Sequence, residues 1–182
     1  REVRQTLERF ANAELTVRYV SIDVTDEVAL ASALDRVRQD IGPICGLIHG
    51  AGVIADRRIE DKTAEQIAAV YDTKVGALNT LLKALEPQLK LIGLFSSSSA
   101  RFGRQGQSDY AAANEVLNKT ARMLATRHQE MRVVSFNWGP WDGGMVTPPL
   151  ARLFNAQGVG LIGVTQGVKL ALDYLVGGVP SN

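Results

Sequence analysis

The feature that most constrains this chain is the alternation of helical periodicity with short apolar runs along its 182 residues. A strand followed by a helix and then another strand pairs in parallel, because the helix carries the chain back to the starting edge of the sheet. The pattern predicts an α/β fold, a parallel sheet covered by helices. The length suits one domain with one core, spanning 1–182.

Val3, Leu7 and Phe10 recur at helical spacing within 1–14, and 16–22 reads as a strand running into Asp23-Val24-Thr25-Asp26. A helix is expected over 27–40, then a strand over 44–49 closed by Gly50-Ala51-Gly52. A long helix over 63–85 is stopped by Pro87. Strands over 89–95 and 132–137 flank a helix over 108–127, and two shorter helices are expected over 149–157 and 165–175.

Composition excludes several classes. Apolar residues at 46% and charged residues at 21% match a packed globular chain rather than a disordered or fibrous one. A net charge of +1, with both signs mixed, offers no basic face to a phosphate backbone, so no nucleic-acid partner is expected. No apolar run approaches the roughly 20 residues that cross a bilayer. The charged start, 1–10, reads as a helix rather than a leader, and the expected location is cytoplasmic. Cys45 lies in the apolar run 44–48 and is expected to be a buried, inert thiol; as the only cysteine it forms no disulfide within the chain.

Tyr110 and Asn114 stand four residues apart at the start of a helix, so they project from one face one turn apart. The strand over 89–95 ends fifteen residues before Tyr110, and Ser96 to Ser99 are expected in the loop beyond it, where open α/β sheets place their ligands. Ser97 can therefore meet Tyr110.

The stretch Phe95-Ser-Ser-Ser-Ser-Ala-Arg-Phe-Gly-Arg-Gln-Gly-Gln-Ser-Asp-Tyr-Ala-Ala-Ala-Asn114 resembles short-chain dehydrogenase/reductases, in particular the ketoreductase domains of polyketide and polyunsaturated-fatty-acid synthases. Most short-chain dehydrogenases have Lys four residues after the catalytic Tyr and Asn on the preceding long helix. Synthase ketoreductases interchange the two, as Asn114 and Lys74 do here. His49-Gly-Ala-Gly-Val53, Glu60-Asp-Lys-Thr63, Lys74-Val75-Gly76 and Asn137-Trp-Gly-Pro-Trp-Asp-Gly-Gly-Met-Val146 are similar to the same family.

The resemblance implies NADPH-dependent reduction of a β-ketoacyl chain held on the phosphopantetheine arm of an acyl carrier protein, within a synthase whose other domains are further partners. It implies a catalytic set of Lys74, Ser97, Tyr110 and Asn114. Hydride arriving at a carbonyl carbon builds negative charge on oxygen, so the reaction needs a proton donor and a fixed hydrogen bond. Tyr110 would give the proton and Ser97 would hold the oxygen. A tyrosine's ordinary pKa is about 10, so Lys74 would favour its anion with a nearby charge, while Asn114 would orient Lys74 or a relay water. For the cofactor, the resemblance implies Asp23 and Val24 at the adenine, Gly50, Ala51 and Gly52 along the ribose, and Pro140, Met145 and Val146 near the nicotinamide, with Lys74 and Tyr110 also touching it. No metal is assigned.

Each residue also has a plainer use. Asp23 can belong to a helix cap, Lys74 can be a solvated helix charge, and the serine run leaves Ser98 as an alternative to Ser97. Trp138 and Trp141 read as packing residues beside a pocket, His128 as solvated, and His49 as a loop residue whose backbone matters more than its ring.

The chain departs from the family at three places. Where one stereochemical type carries Leu-Asp-Asp it reads Ile54-Ala55-Asp56, and where the other carries Trp it has Phe102, so product stereochemistry stays open. The family's first strand, Gly-rich phosphate loop and helix have no counterpart, since no G-x-G-x-x-G stands at the right place. The resemblance thus implies a Rossmann-like doubly wound parallel sheet with helices on both faces that lacks its first βαβ unit and its last strand, as part of a longer polypeptide or completed by a partner segment. Two other functions compete: a noncatalytic structural subdomain of a synthase, which the intact tetrad disfavours, and a short-chain dehydrogenase acting on a free metabolite, which Asn114 in place of Lys disfavours.

Overall fold

The computed structural model describes residues 2–177. Two of the described helices begin on side-chain caps that the sequence supplies. Helix α1 spans Glu2–Asn12 and α2 spans Glu27–Asp40, with the Asp26 carboxylate accepting the N–H groups of Val28 and Ala29. Helix α3, Ala64–Tyr71, opens with a reciprocal capping box between Thr63 and Gln66. A π-helical turn over Asp72–Gly76 joins it to α4, Ala77–Leu85, so the expected single helix is interrupted.

Three parallel strands form the sheet in the order β1, β2, β3: β1 is Gly46–His49, β2 is Leu91–Ser97 and β3 is Arg132–Trp138. Helix α5 is Ser99–Phe102 and α6 is Ser108–Arg127, between β2 and β3; α7, Pro148–Ala156, and α8, Val164–Val176, follow. Side chains alternate across β2. Ile92 and Leu94 face α4 and α6 in a core with Leu78, Leu82, Leu117 and Leu124, while Leu91 and Phe95 pack on the other face with Phe136, Trp138 and Leu175. Each buried leucine in that first cluster contributes roughly 1.5–3 kcal/mol relative to exposure.

The segment 16–22 is not a strand. It runs without sheet pairing, with Val17, Tyr19 and Val20 exposed and Ile22 packed on the core. A strand requires a hydrogen-bonded neighbour, and the observed order places none beside these residues. For the same reason β1 is a sheet edge, and Cys45 just before it is exposed rather than buried. His128 is not freely solvated, because its Nε2 lies 2.7 Å from Glu86 Oε1.

Candidate active site

The π turn between α3 and α4 adds one residue to the helical ladder, a local widening that tends to mark functional positions. Lys74 lies within it, only 3% exposed. Its Nζ donates to the carbonyl of Phe95 at 3.0 Å and stands 5.3 Å from the centre of the Tyr110 ring. Burial lowers the Lys74 pKa to about 8.

His49 closes β1 and is buried, and its Nε2–H donates to the Lys74 carbonyl at 2.8 Å. A carbonyl only accepts, so this bond fixes the tautomer. The ring therefore matters here as well as the backbone, contrary to the sequence expectation. Burial, chiefly, depresses its pKa, with the Lys74 charge acting in the same direction and the carbonyl bond against it.

Helix α6 presents Tyr110 and Asn114 one turn apart, as their spacing requires. Asn114 is fully buried, and its Nδ2 donates to the Tyr110 carbonyl at 2.8 Å. Its Oδ1 has no partner among the described residues. An unsatisfied buried acceptor costs roughly 1–3 kcal/mol, which marks it as available for a polar guest. Burial raises the Tyr110 pKa; the Asn114 side chain opposes the rise and the Asp56 charge adds to it. Tyr110 is thus fully protonated at neutral pH.

Ser96 and Ser97 belong to β2 rather than to a loop, and Ser97 pairs in register with Trp138. Ser96 turns inward, its Oγ donating to the Asn114 carbonyl at 3.1 Å. Ser97 turns to the cleft, where its Oγ accepts from the N–H and the hydroxyl of Ser99, at 3.2 and 3.0 Å. Those two donors leave the Ser97 hydrogen free to point outward.

Lys74, Ser97 and Tyr110 line one cleft of about 490 Å³ at the carboxyl end of the sheet, together with Gly50, Met145 and Val146. Pro140 lines it too. Gly52 lies against its floor: a Cβ there would come within 3.2 Å of Lys74 Cε and 3.4 Å of Met145 Cε. Ala51 lies between these two glycines, half-buried. Asn114 sits behind Tyr110, outside the lining. Asp23 and Val24 are not brought to the cleft; the exposed Asp23 carboxylate binds the N–H and hydroxyl of Thr25, which lowers its pKa.

Sequence reasoning missed several residues of the site. Asp56 and Gln107 meet across the cleft wall at 2.8 Å, and the Arg104 guanidinium stacks 4.2 Å from the Phe154 ring centre. Lys62 and Asp109 form a buried pair next to Tyr110. Lys62, Asp109, Gln107 and Arg104 stand within the family-like stretches, but nothing in the sequence pairs them with their partners, because these contacts join segments distant along the chain. Trp138 and Trp141 pack edge to face beside the pocket, as expected. Among the described residues no group of acidic, histidine or cysteine side chains could hold a metal, and no helix is long and apolar enough to cross a membrane.

A parallel α/β sheet that gathers a serine, a tyrosine and a buried lysine at its carboxyl edge has the architecture of a short-chain dehydrogenase/reductase. A family model described as the KR domain matches residues 1–143. The chain is 37% identical over 183 residues to a polyunsaturated fatty acid synthase polypeptide of Thraustochytrium sp., covering 100% of this chain and 6% of that protein. It is 35% identical over 158 residues to 5-methyl-1-naphthoate synthase of Streptomyces sahachiroi, covering 84% and 9%. The solved ketoreductase from the first module of phoslactomycin biosynthesis in Streptomyces sp. HK803 superposes with a TM-score of 0.81 at 34% identity, covering 92% of this chain and 39% of that one. A short-chain dehydrogenase from Burkholderia cenocepacia, solved with NADP, shares the fold at a TM-score of 0.83 and 20% identity, covering 98% of this chain and 78% of that one.

The chain belongs to the KR domain family, the ketoreductase domains of polyketide and polyunsaturated-fatty-acid synthases. It spans 6% and 9% of the two synthases and 39% of the solved ketoreductase.

Proposed function

We propose that this chain carries the carbonyl-reducing half of a ketoreductase site. There NADPH reduces a β-ketoacyl thioester on an acyl carrier protein to the β-hydroxyacyl thioester, in polyketide or fatty-acid biosynthesis. The observation that carries this reading is the convergence of Lys74, Ser97 and Tyr110 on one cleft, with the lysine ammonium 5.3 Å from the tyrosine ring.

The residues present fit the nicotinamide and ribose end of such a cofactor. Gly52 is bare backbone where a Cβ would press on the ends of Lys74 and Met145, and Met145 and Val146 line the cleft as an apolar flank beside it. When bound, the reduced nicotinamide supplies a hydride to the substrate carbonyl carbon. Ser97, its oxygen already accepting from Ser99, directs its own hydrogen to the carbonyl oxygen. Tyr110, kept protonated by burial, gives that oxygen its proton. Lys74 stabilises the phenolate left behind, and the free Oδ1 of Asn114 accepts from Lys74 or from a water that returns the proton. Asp23 and Val24 would serve the adenine end, away from this chemistry.

The carrier protein and the other synthase domains, including the segment that completes the reductase domain, are the partners this reading requires. The test uses the complete domain with NADPH and a β-ketoacyl thioester surrogate. One β-hydroxyacyl thioester should form for each NADPH oxidised. Unchanged NADPH would leave the chain a structural subdomain, and a preference for free ketones over the thioester would make it a dehydrogenase of small metabolites.

A further inference from the structure

The buried pair next to Tyr110 lies outside the catalytic set. Lys62 Nζ stands 2.8 Å from Asp109 Oδ1, with the two side chains 1% and 4% exposed. The same ammonium donates to the Ala55 carbonyl at 2.8 Å, and the same carboxylate oxygen accepts the Tyr110 backbone N–H at 2.8 Å. One ion pair thus ties together the backbone of the cleft wall and the backbone of the proton donor. Ala55 and Tyr110 also pack in a common cluster with Val70, Val75 and Ala113.

The wall it holds is the one that borders the reaction. Asp56, next to Ala55, accepts from the Gln107 amide at 2.8 Å, and the Arg57 N–H donates to the Gly106 carbonyl at 3.0 Å. Helix α6 itself starts without a side-chain cap at Gln107. Within its first turn the Tyr110 N–H is satisfied by Asp109 instead.

A stability role alone does not account for the pair. Desolvation of two charges offsets much of their attraction, so apolar residues of similar volume often serve a core as well or better. Among the described residues Asp109 Oδ2 is moreover buried without a partner, a cost that weighs against the pair. What apolar side chains cannot do is hold a carbonyl and an N–H in fixed relation.

We propose that Lys62 and Asp109 are positioning residues for Tyr110. The pair sets the first turn of α6 against the wall around Ala55 and Asp56, and thereby the distance from the tyrosine hydroxyl to the substrate oxygen. A misplacement of about 1 Å in such a site costs on the order of 10²-fold in rate. The kinetic part of this inference rests on the proposed reductase function; the structural part does not.

The test compares the complete reductase domain with its Lys62→Met/Asp109→Leu variant, which removes both charges at similar volume. Lys62→Met alone would strand a carboxylate in the core, so the double variant is the decisive one. Amide hydrogen exchange should show the Tyr110 and Arg57 N–H groups opening at least about tenfold faster while Leu117 and Leu124 keep their protection. In the kinetics kcat should fall about 10- to 100-fold, with KM for NADPH within about threefold. Parent-like protection at Tyr110 and Arg57, an undiminished kcat in an active parent, or a double variant that fails to fold would each overturn the positioning role. A parent without turnover would instead sink the proposed function, and the exchange measurement would still decide whether the pair holds Tyr110.

Discussion

Lys74 illustrates how a side chain with a proposed catalytic role can oppose the fold that holds it. Its pKa is about 8 in the folded chain against 10.5 for a free lysine, so the folded state binds the proton less tightly. Between those values the unfolded chain carries a proton that the folded chain has lost, so stability rises with pH across that window, and below about 8 the full penalty of the buried charge remains. Lys74→Met should therefore stabilise the protein at pH 7 by roughly 1–3 kcal/mol, flatten its stability between pH 8 and 10, and abolish turnover. Thermal melts over that pH range check it, and a destabilised variant would contradict it. In the unmodified protein, turnover should decline as pH rises through about 8, when the cation beside Tyr110 discharges; a flat pH–rate profile across that value would remove Lys74 from the step. That Tyr110 and Asn114 share one helix face was legible from their spacing, whereas the proposed set of four, with Lys74 from the turn before α4 and Ser97 from β2, came from the family resemblance. The contacts of His49, Asp56, Lys62 and Asp109 were not legible, since they are set by tertiary packing that spacing along the chain does not record.

Among the elements, helix limits were legible wherever a cap or a breaker marks them, as at Asp26, Thr63 and Pro87. Strand β2 ends two residues later than its apolar run, because Ser96 and Ser97 pair with Asn137 and Trp138 whatever their polarity. The π turn over Asp72–Gly76 was invisible, since a one-residue widening leaves apolar periodicity almost intact. Helix α8 closes on the aromatic wall of the cleft at a second tight point: a Cβ on Gly167 would fall 2.4 Å from Trp141 Cη2, a rigid ring already packed on Trp138 and Phe95. Gly167→Ala should destabilise the protein by about 1–3 kcal/mol by forcing α8 off Trp141, and should lower the affinity for substrate more than a distant Gly→Ala control. A melting temperature equal to that of the parent would show that the helix yields freely.

For the whole molecule, the parallel α/β layering was legible from the alternation of elements alone, whereas the state of 16–22 was not, because a strand exists only with a neighbour. The same open edge exposes Cys45 and leaves Ile48 58% exposed on β1. In the 182-residue chain Cys45 should react with a thiol reagent under native conditions, one equivalent per chain; reaction only after denaturation would place another element over β1.

The central claim, that Tyr110 delivers the proton in a carbonyl reduction, is tested most directly by Tyr110→Phe in the complete domain. The hydroxyl is lost while the ring still packs on Val70, Val75 and Ala113. NADPH binding should stay within about threefold of the parent while kcat for a β-ketoacyl thioester falls by at least about 10²-fold, the range of general acid catalysis. Turnover equal to that of the parent would contradict the claim.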